Sequence, residues 1–367
     1  MAAYGSANTP TNTTAGNITG GSSYGDLSKN DAFTIQKRML PIAKRLLTFA
    51  KFAQKETKPQ KQGLEIRHRR YERFPIVDTP IAEGVTPDFT TIDQTTMMHT
   101  LKQYGSYVNT TDVMLAASTD PLVQVITERQ AQQAGETLDY LAYKVFRAGT
   151  SVTHSGGTTR GTVVKNINNA TCVHGQPAAG DNANFDAAIR SLEQNDAKKM
   201  RKKLRASVGI ATEPIRESYI GICHPDMRQD LEANASFVPV EKYSNTGDAM
   251  DGEIGSVAGI RIITTTQAVP FKDAGASKTQ TNSADDEVSS AGTKIDVYPM
   301  IILAQDFGGC ATLGGMDSLR SKIHAPAVGP GDPLGQRGSI AWDTFYSCII
   351  LQDLWMYRIE CAVTQTS

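Results

Sequence analysis

The amino-acid sequence predicts an α+β fold, and three patterns support that prediction. Helical periodicity runs from Asp120 to Gly149, short apolar runs typical of strands fill the second half of the chain, and residues 64–108 carry charge on both faces of a predicted ribbon. The 367 residues suffice for two or three lobes with a sizeable buried core. The 37 basic and 38 acidic residues leave a net charge of −1, so the overall charge favours no single class of partner.

The N-terminal region predicts a flexible tail, residues 1–30, followed by a basic arm, residues 31–63. The first 25 residues carry no charge and are mostly small and polar, so they cannot bury enough apolar surface to offset the entropy lost on ordering. In the arm, apolar residues recur at near-helical spacing, with a break expected at Pro41. Basic side chains stand between them, among them Lys37, Arg38, Lys44 and Arg45. The 13 basic and 4 acidic residues from Leu27 to Arg73 favour an arm across an anionic partner over a solvated amphipathic helix.

Residues 64–108 predict a long hairpin that projects from the body of the protein. Its first strand is polar on both faces, and such a strand cannot lie inside a sheet packed on a core. The Pro- and Gly-containing segment TPIAEGVTP connects it to a second strand. An isolated two-stranded ribbon is marginally stable in water, so the hairpin is expected to lie on a neighbouring molecule. The residues predicted to make that contact are Arg67, Arg69, Arg70, Tyr71, Glu72 and Arg73.

Two amphipathic helices are predicted after the hairpin. Asp120 is a suitable N-cap with Pro121 at the first helical position, and Gly149 closes the run, so a spine helix about 40 Å long is expected. Its predicted apolar stripe is Leu122, Val125, Ile126, Ala134, Leu138, Leu141 and Val145. A second helix, near 184–205, has an apolar face made of Phe185, Ala188, Ile189 and Leu192. It ends in KKMRKKLR, whose cations complement the helix dipole; nucleic-acid contact is the alternative.

The rest of the sequence predicts short strands separated by polar loops. The apolar runs are SYIGICHP, AGIRIITTT and VYPMIILAQDF, and the loops are the Gly-, Ser- and Asp-rich segments 241–256 and 272–294. Near the C-terminus, apolar residues from Trp355 to Val363 alternate with Arg358 and Glu360. This alternation predicts an antiparallel sheet with one face exposed to water, on which the two charged side chains lie.

The stretch GPGDPLGQRGSIAW, residues 329–342, is predicted to be a structural bend and not a nucleotide site. It lacks the lysine of a Walker loop and the third glycine of a dinucleotide fingerprint. Its prolines also remove backbone donors that a phosphate would need. Gly331, Pro333 and Gly335 are the residues assigned to the bend, because glycine permits unusual backbone angles and proline stiffens the chain.

The sequence predicts no catalytic, cofactor or metal site. The five cysteines are scattered and odd in number, which argues against a disulfide framework and favours a reducing compartment. Cys172, His174, Cys223 and His224 are the candidates for a metal cluster, but their spacing matches neither half of a zinc site. No apolar run approaches the roughly 20 residues that span a bilayer, and no secretory signal is expected.

Four stretches of the sequence resemble the coat proteins of the N-four-like phages, and the order of elements resembles the Hong Kong 97 phage coat-protein fold. The stretches are EGVTP at 83–87, LKQYGSYVNTTD at 101–112, GEIGSVAGIRIITT at 252–265 and GDPLGQRGSIAWDTF at 331–345. The resemblance implies that residues 64–108 are an extended loop over an adjacent subunit. It also implies a periphery domain made of 109–205 and 331–367, and an axial domain made of 206–330. The Gly/Pro bend would then cross between these two domains.

The same resemblance implies a structural virion protein without enzymatic activity. Its copies would form the hexamers and pentamers of an icosahedral head around double-stranded DNA, assembled in the bacterial cytoplasm. Separate scaffolding, portal and decoration proteins would be its partners, and sequence-specific DNA reading is not expected because no recognition helix is present. Three alternatives remain open: an encapsulin-like shell around protein cargo, a soluble enzyme built on the Cys/His candidates, and a monomeric, salt-sensitive nucleic-acid binder.

Overall fold

The structure, a computed structural model, describes residues 48–364 except 73, 75, 79, 82, 85, 87–88, 119–121, 169–181, 201–216, 243–249, 251, 279–287, 291, 315–319, 325 and 329–331. The predicted tail and the arm as far as residue 47 lie outside the described residues. So do several residues singled out in the sequence: Lys37, Arg38, Lys44, Arg45, Arg73, Asp120, Pro121, Cys172, His174 and Gly331.

The described residues form runs of strands separated by a smaller number of helices, as in an α+β fold. The helices are α1 (Phe49–Phe52), α2 (Asp112–Ala117), α3 (Leu122–Phe146), α4 (Ala183–Gln194) and α5 (Arg228–Glu232). The strands are β1 (Gln54–Lys58), β2 (Glu65–Tyr71), β3 (Gln94–Thr100), β4 (Lys102–Thr111), β5 (Val152–His154), β6 (Tyr219–Cys223), β7 (Val238–Pro239), β8 (Glu253–Val257), β9 (Ile260–Thr264), β10 (Tyr298–Leu303), β11 (Gly308–Leu313), β12 (Arg320–His324), β13 (Arg337–Ile350) and β14 (Met356–Cys361).

The 14-residue strand β13 is the centre of a five-stranded sheet. It pairs antiparallel with β4 along one edge and with β12 and then β11 along the other, and β1 adds to β11 in parallel. At Gly105 of β4, a Cβ would lie 2.6 Å from the backbone oxygen of Trp342, so only glycine permits this close approach of the two strands. Residues 102–108, which the sequence placed in the hairpin, therefore belong to this sheet.

A seven-stranded mixed sheet forms the second half of the fold, in the order β5-β14-β10-β6-β9-β8-β7. The pairs β6–β9 and β5–β14 are parallel, whereas the other pairs are antiparallel. Every residue of β6 and β10 is buried, because both faces of the sheet are covered. One face packs on the cluster that contains Phe185 and Leu192 of α4. The other face packs on the cluster that contains Tyr143 and Phe146 of α3. The three apolar runs predicted as strands are confirmed as β6, β9 and β10.

The helix α3 confirms the predicted spine helix, and its 25 residues span about 38 Å at 1.5 Å each. Its buried face is centred further toward the C-terminus than the predicted stripe. The buried residues are Gln130, Ala134, Asp139, Ala142, Tyr143 and Phe146, while Leu138, Leu141 and Val145 are partly buried. Polar residues occupy this face because each finds a partner; Gln130 Nε2, for example, donates to the Ile340 carbonyl at 2.6 Å.

The second predicted helix is shorter than expected. Phe185, Ala188 and Leu192 of α4 are fully buried, which confirms the predicted apolar face. The helix ends at Gln194 instead of extending to 205, since Asp196 adopts a left-handed backbone conformation with φ of 52°. Met200 then forms a bridge with Ser218 beside β6, so the segment after α4 runs as an extended chain at that point. The basic residues beyond 200 lie outside the described residues.

The C-terminal strand β14 is present, but the prediction of a water-exposed face is wrong. Glu360 is fully buried and Arg358 is only 7% exposed. Their charges are compatible with burial because Arg160 makes a bidentate pair with Glu360 at 2.7 and 2.8 Å, and Arg358 Nε lies 2.8 Å from the same carboxylate. Arg358 also donates to the carbonyl of Gly149 at 3.0 Å, which ties β14 to the end of the spine helix.

The described part of the Gly/Pro stretch, from Asp332 onward, forms a turn. The stretch connects β12 to β13, two antiparallel neighbours of one sheet, and a crossing between domains stays a prediction. Pro333 lies in the turn, Gly335 has φ of +65°, and a Cβ on Gly335 would lie 2.8 Å from the backbone nitrogen of Val328. The Asp332 carboxylate accepts a hydrogen bond from the Arg337 backbone at 2.7 Å and closes the turn.

Candidate assembly surface

The strands β2 and β3 form a two-stranded ribbon separate from the two larger sheets. They pair antiparallel from Glu65 opposite Thr100 to Tyr71 opposite Gln94. Burial along β2 alternates between exposed and half-buried, and no residue of it is fully buried. The structure therefore contains a hairpin of two such strands, which ends at Leu101, where the backbone donates to the Leu64 carbonyl at 3.0 Å.

The end of this ribbon, residues 72–93, carries a set of exposed apolar side chains that we call the apolar tip. Its members are Phe74, Ile76, Val77, Ile81, Phe89 and Ile92. Both Ile76 and Phe89 are 88% exposed, so the chain's own described residues leave them almost fully in water. Exposed apolar residues are unremarkable singly, but a group of them on one projection marks an interaction surface.

The sequence patterns considered above do not predict the apolar tip, because they assign the contact to the charged strand beside it. The signal was the segment FPIVDTPIAEGVTPDF, in which apolar residues recur between two strands already predicted to project from the body. Apolar residues in a projecting element cannot be covered by the element's own fold. Their presence there predicts a partner, which the charge pattern alone does not specify.

The charged side chains predicted as contacts lie mainly on the exposed face of β2, where some form ion pairs within the ribbon. Arg67 lies 3.5 Å from Glu65, and Arg70 lies 2.8 Å from Glu72. The pKa of Glu72 is lowered by its hydrogen bonds with Arg70 and Thr95. Such exposed pairs are screened by solvent and can exchange partners at little cost. Contact of these residues with another subunit stays a prediction, and Arg73 lies outside the described residues.

A histidine pair marks the base of the ribbon. The Nε2 atoms of His68 and His99 are 3.3 Å apart, and His68 Nδ1 lies 3.3 Å from a carboxylate oxygen of Glu56 in β1. Burial first, and then the charges of His68 and Lys58, lower the pKa of His99 to about 4. The neutral His99 ring therefore packs at the junction where the ribbon leaves the five-stranded sheet.

The described end of the arm is fixed to the spine helix through a buried carboxylate. Asp139 is fully buried, and it accepts hydrogen bonds from the Ala50 backbone at 3.1 Å and from the Thr48 hydroxyl at 3.4 Å. Burial raises the pKa of Asp139, although these hydrogen bonds oppose the shift. Phe49 packs on Tyr143 with ring centroids 5.1 Å apart. The arm therefore enters the fold at a defined point beside α3.

Of the four metal candidates of the sequence, Cys223 and His224 lie among the described residues and Cys172 and His174 lie outside them. Cys223 is fully buried and burial raises its pKa to about 12, which keeps the thiol protonated. His224 lies 3.1 Å from the carboxylate of Asp226. In the described ranges no group of three or more His, Cys, Asp or Glu side chains is arranged to hold a metal ion. Among those residues there is also no helix with the length and apolar character needed to cross a membrane.

Comparison with known proteins identifies the family. Residues 94–359, which run from β3 through the spine helix and both large sheets into β14, match the family model for phage capsid protein. The chain belongs to the phage capsid protein family. This membership and the solved structures described next confirm the Hong Kong 97-type fold that the sequence resemblance implies. They also confirm that the protein is a structural component of a virion shell.

Relatives and solved structures agree with this membership. The major capsid protein of Pseudomonas phage KPP21 is 23% identical over 279 residues, which cover 71% of this chain and 66% of that protein. Among solved structures, the capsid of Ralstonia phage GP4 matches with a TM-score of 0.58 at 10% identity, over 92% of this chain and 98% of the other. The capsid of cyanophage P-SCSP1u matches with a TM-score of 0.56 at 14% identity, over 91% and 93%. At these identities the structures establish the fold.

Proposed function

We propose that this chain is the major capsid protein of a tailed bacteriophage, and that its copies form the hexamers and pentamers of an icosahedral head around double-stranded DNA. The observation that carries the proposal is the apolar tip, which projects on a ribbon away from the protein's own core. In a shell, every ribbon meets an equivalent surface on the next copy, so the same contact repeats around each capsomer. Many modest contacts then combine into a stable assembly.

The fold supports a division of labour within each subunit. We assign the extended loop to residues 64–101, because β4 is bonded to β13 and cannot leave the body. The periphery domain corresponds to the five-stranded sheet with the spine helix, and the axial domain to the seven-stranded sheet with α4. This division replaces the boundary at residue 331, since β14 pairs with β10 and both belong to the same sheet.

The remaining roles follow from charge and from the family's structural character. The basic arm, with Lys37, Arg38, Lys44 and Arg45, is proposed to contact packaged DNA or a neighbouring subunit by charge alone, without sequence-specific reading. Scaffolding, portal and decoration functions are assigned to separate proteins, and assembly to the bacterial cytoplasm. We propose a purely structural role without catalysis, in keeping with membership of the phage capsid protein family.

Shortening the ribbon tests this proposal without disturbing the rest of the fold. Residues 72–93 are replaced by Asn-Gly, which closes β2 and β3 after the pair Tyr71–Gln94 with a two-residue turn suited to a hairpin. The shortened protein is expected to stay folded and to remain monomeric or form small oligomers, while the full chain forms closed particles. Closed particles of normal size from the shortened chain, seen by negative-stain microscopy, would contradict the proposed role of the loop.

An encapsulin-like shell is distinguished by what the particles enclose. Particles recovered from infected cells are treated with nuclease and then opened, and the protected material is analysed. Double-stranded DNA of uniform length supports the phage head. Protein cargo without DNA would favour the cellular shell and would contradict the proposed genome-enclosing role.

A further inference from the structure

Two cysteines that lie far apart in the sequence face each other across neighbouring strands. Cys310 of β11 and Cys348 of β13 are direct partners in the antiparallel register, and their Sγ atoms are 2.7 Å apart. Both are thiols in this structure. Directly opposed positions on antiparallel strands bring Cα atoms to about 4.5–5.5 Å, within the range that a disulfide spans. The scattered cysteines argued against a disulfide framework, and these two are unbonded here, but their sequence spacing does not show that they are neighbours.

The surroundings of the pair distinguish the two thiols. Cys310 is 5% exposed, whereas Cys348 is half-buried and therefore more accessible to a small solute. Both belong to the core cluster between the sheets and the spine helix, with Tyr346 beside them. Burial and the hydrogen bond with Cys310 raise the pKa of Cys348, so its reactive thiolate is scarce and its reaction with an oxidant is slow.

We propose that Cys310 and Cys348 form a cross-strand disulfide once the protein meets a peroxide outside a reducing compartment. The sulfur of Cys348 attacks one peroxide oxygen, the O–O bond breaks, and a sulfenic acid and one water result. The sulfur of Cys310 then attacks the sulfenic sulfur, the S–O bond breaks, and the Cys310 proton leaves with the oxygen as a second water. Two thiols are oxidised, and one hydrogen peroxide is reduced to two waters.

The bond would join β11, which pairs with β1 at the end of the arm, to β13, the central strand of the five-stranded sheet. β11 holds β1 in parallel pairing, and β13 holds β4 and β12. A disulfide between β11 and β13 closes a loop between positions 38 residues apart, which restricts the unfolded chain. The sheet from which the ribbon projects would thus become more resistant to unfolding after the protein leaves the cell in which it is made.

Peptide mapping of the purified full chain tests the proposal. The folded protein is exposed to hydrogen peroxide and the peroxide is removed. The remaining thiols are then blocked in denaturant, and the chain is cut with trypsin under non-reducing conditions. Arg320 and Arg337 lie between the two cysteines, so cleavage places Cys310 and Cys348 on different peptides. The expected product is these two peptides linked, with the loss of two hydrogens, while Cys223 stays a blockable thiol. A reductant-sensitive rise in the unfolding midpoint of about 5 °C should accompany the link.

Substitutions of Cys310 identify the order of the two steps. A second variant keeps the test decisive if the first one does not fold. In Cys310→Ser the sulfenic acid on Cys348 has no resolving thiol, so dimedone should label Cys348 in this variant and not in the original chain. Cys310→Ala serves if the serine variant does not fold. The proposal is overturned if both thiols stay blockable after peroxide, if Cys348 advances to the sulfinic acid without a link, or if the link forms between different chains.

Discussion

Phe89 offers a direct way to measure what the apolar tip contributes to assembly. Its side chain is 88% exposed, and full burial of a phenylalanine contributes about 1.5–3 kcal/mol. Each subunit supplies one ribbon, so Phe89→Ser should remove about that free energy per subunit. Since each 1.4 kcal/mol is a factor of ten in an equilibrium constant, the protein concentration needed for assembly should rise about tenfold to a hundredfold. The free energy of unfolding of the isolated Phe89→Ser subunit should stay within about 0.5 kcal/mol of that of the original, because the Phe89 side chain makes no core contact.

Light scattering over a concentration series gives the assembly threshold, and chemical denaturation of the unassembled subunit gives its stability. Phe89→Leu is the matched control, because leucine keeps most of the apolar area and should assemble close to the original threshold. A folded Phe89→Ser protein that assembles at the original concentration would refute the reasoning, since Phe89 would then be in water in the shell as well.

Three further predictions concern the interior and the base of the ribbon. Glu360→Ala should lower the free energy of unfolding by about 3–5 kcal/mol in denaturant titration, because Arg358 and Arg160 lose their buried partner. Burial raises the pKa of Glu360, but Arg160, Arg358 and His154 lower it more, so the net shift is downward. The stabilisation by ionised Glu360 is therefore present above about pH 4.5 and should be lost as the pH falls through the pKa of Glu360 in the folded protein. Asp139→Ala should increase hydrogen exchange in α1 and Asp139→Asn should do so less, because the amide keeps an acceptor for the Ala50 backbone. The protection of the β2 and β3 amides against hydrogen exchange, taken relative to the intrinsic rate at each pH, should decrease as the pH falls from 6.5 toward 4. The unfolded chain binds a proton that the folded His99 resists, and His99→Phe should remove this dependence.

Elements with a strong local pattern could be predicted from the sequence. The spine helix has regular periodicity over seven turns, the ribbon has charge on both faces, and β6, β9 and β10 are short apolar runs. Each of these patterns reflects the element's own surroundings: water on one side for the helix, water on both faces of the ribbon, and core on both faces of the short strands. That information is local, so periodicity suffices to recover it.

Features that depend on contacts distant in sequence could not be predicted in this way. In the sequence, the alternating charges of Arg358 and Glu360 indicate a face exposed to water. In the structure, Glu360 is buried and paired with Arg160, which lies 200 residues away in the sequence. Cys310 and Cys348 meet only because the register of β11 on β13 places them opposite each other. The apolar tip combines local and distant information. Its apolar residues can be read from the sequence, but their exposure depends on the position of the ribbon relative to the rest of the fold.

The central claim is that the ribbon of one copy lies on another copy. Cryo-electron microscopy of particles assembled from the purified chain tests it most directly. The account predicts a closed shell in which density for residues 72–93 crosses onto the adjacent subunit and the apolar tip is buried there. Particles in which each ribbon folds back against its own subunit, or a protein that stays monomeric at high concentration, would contradict it.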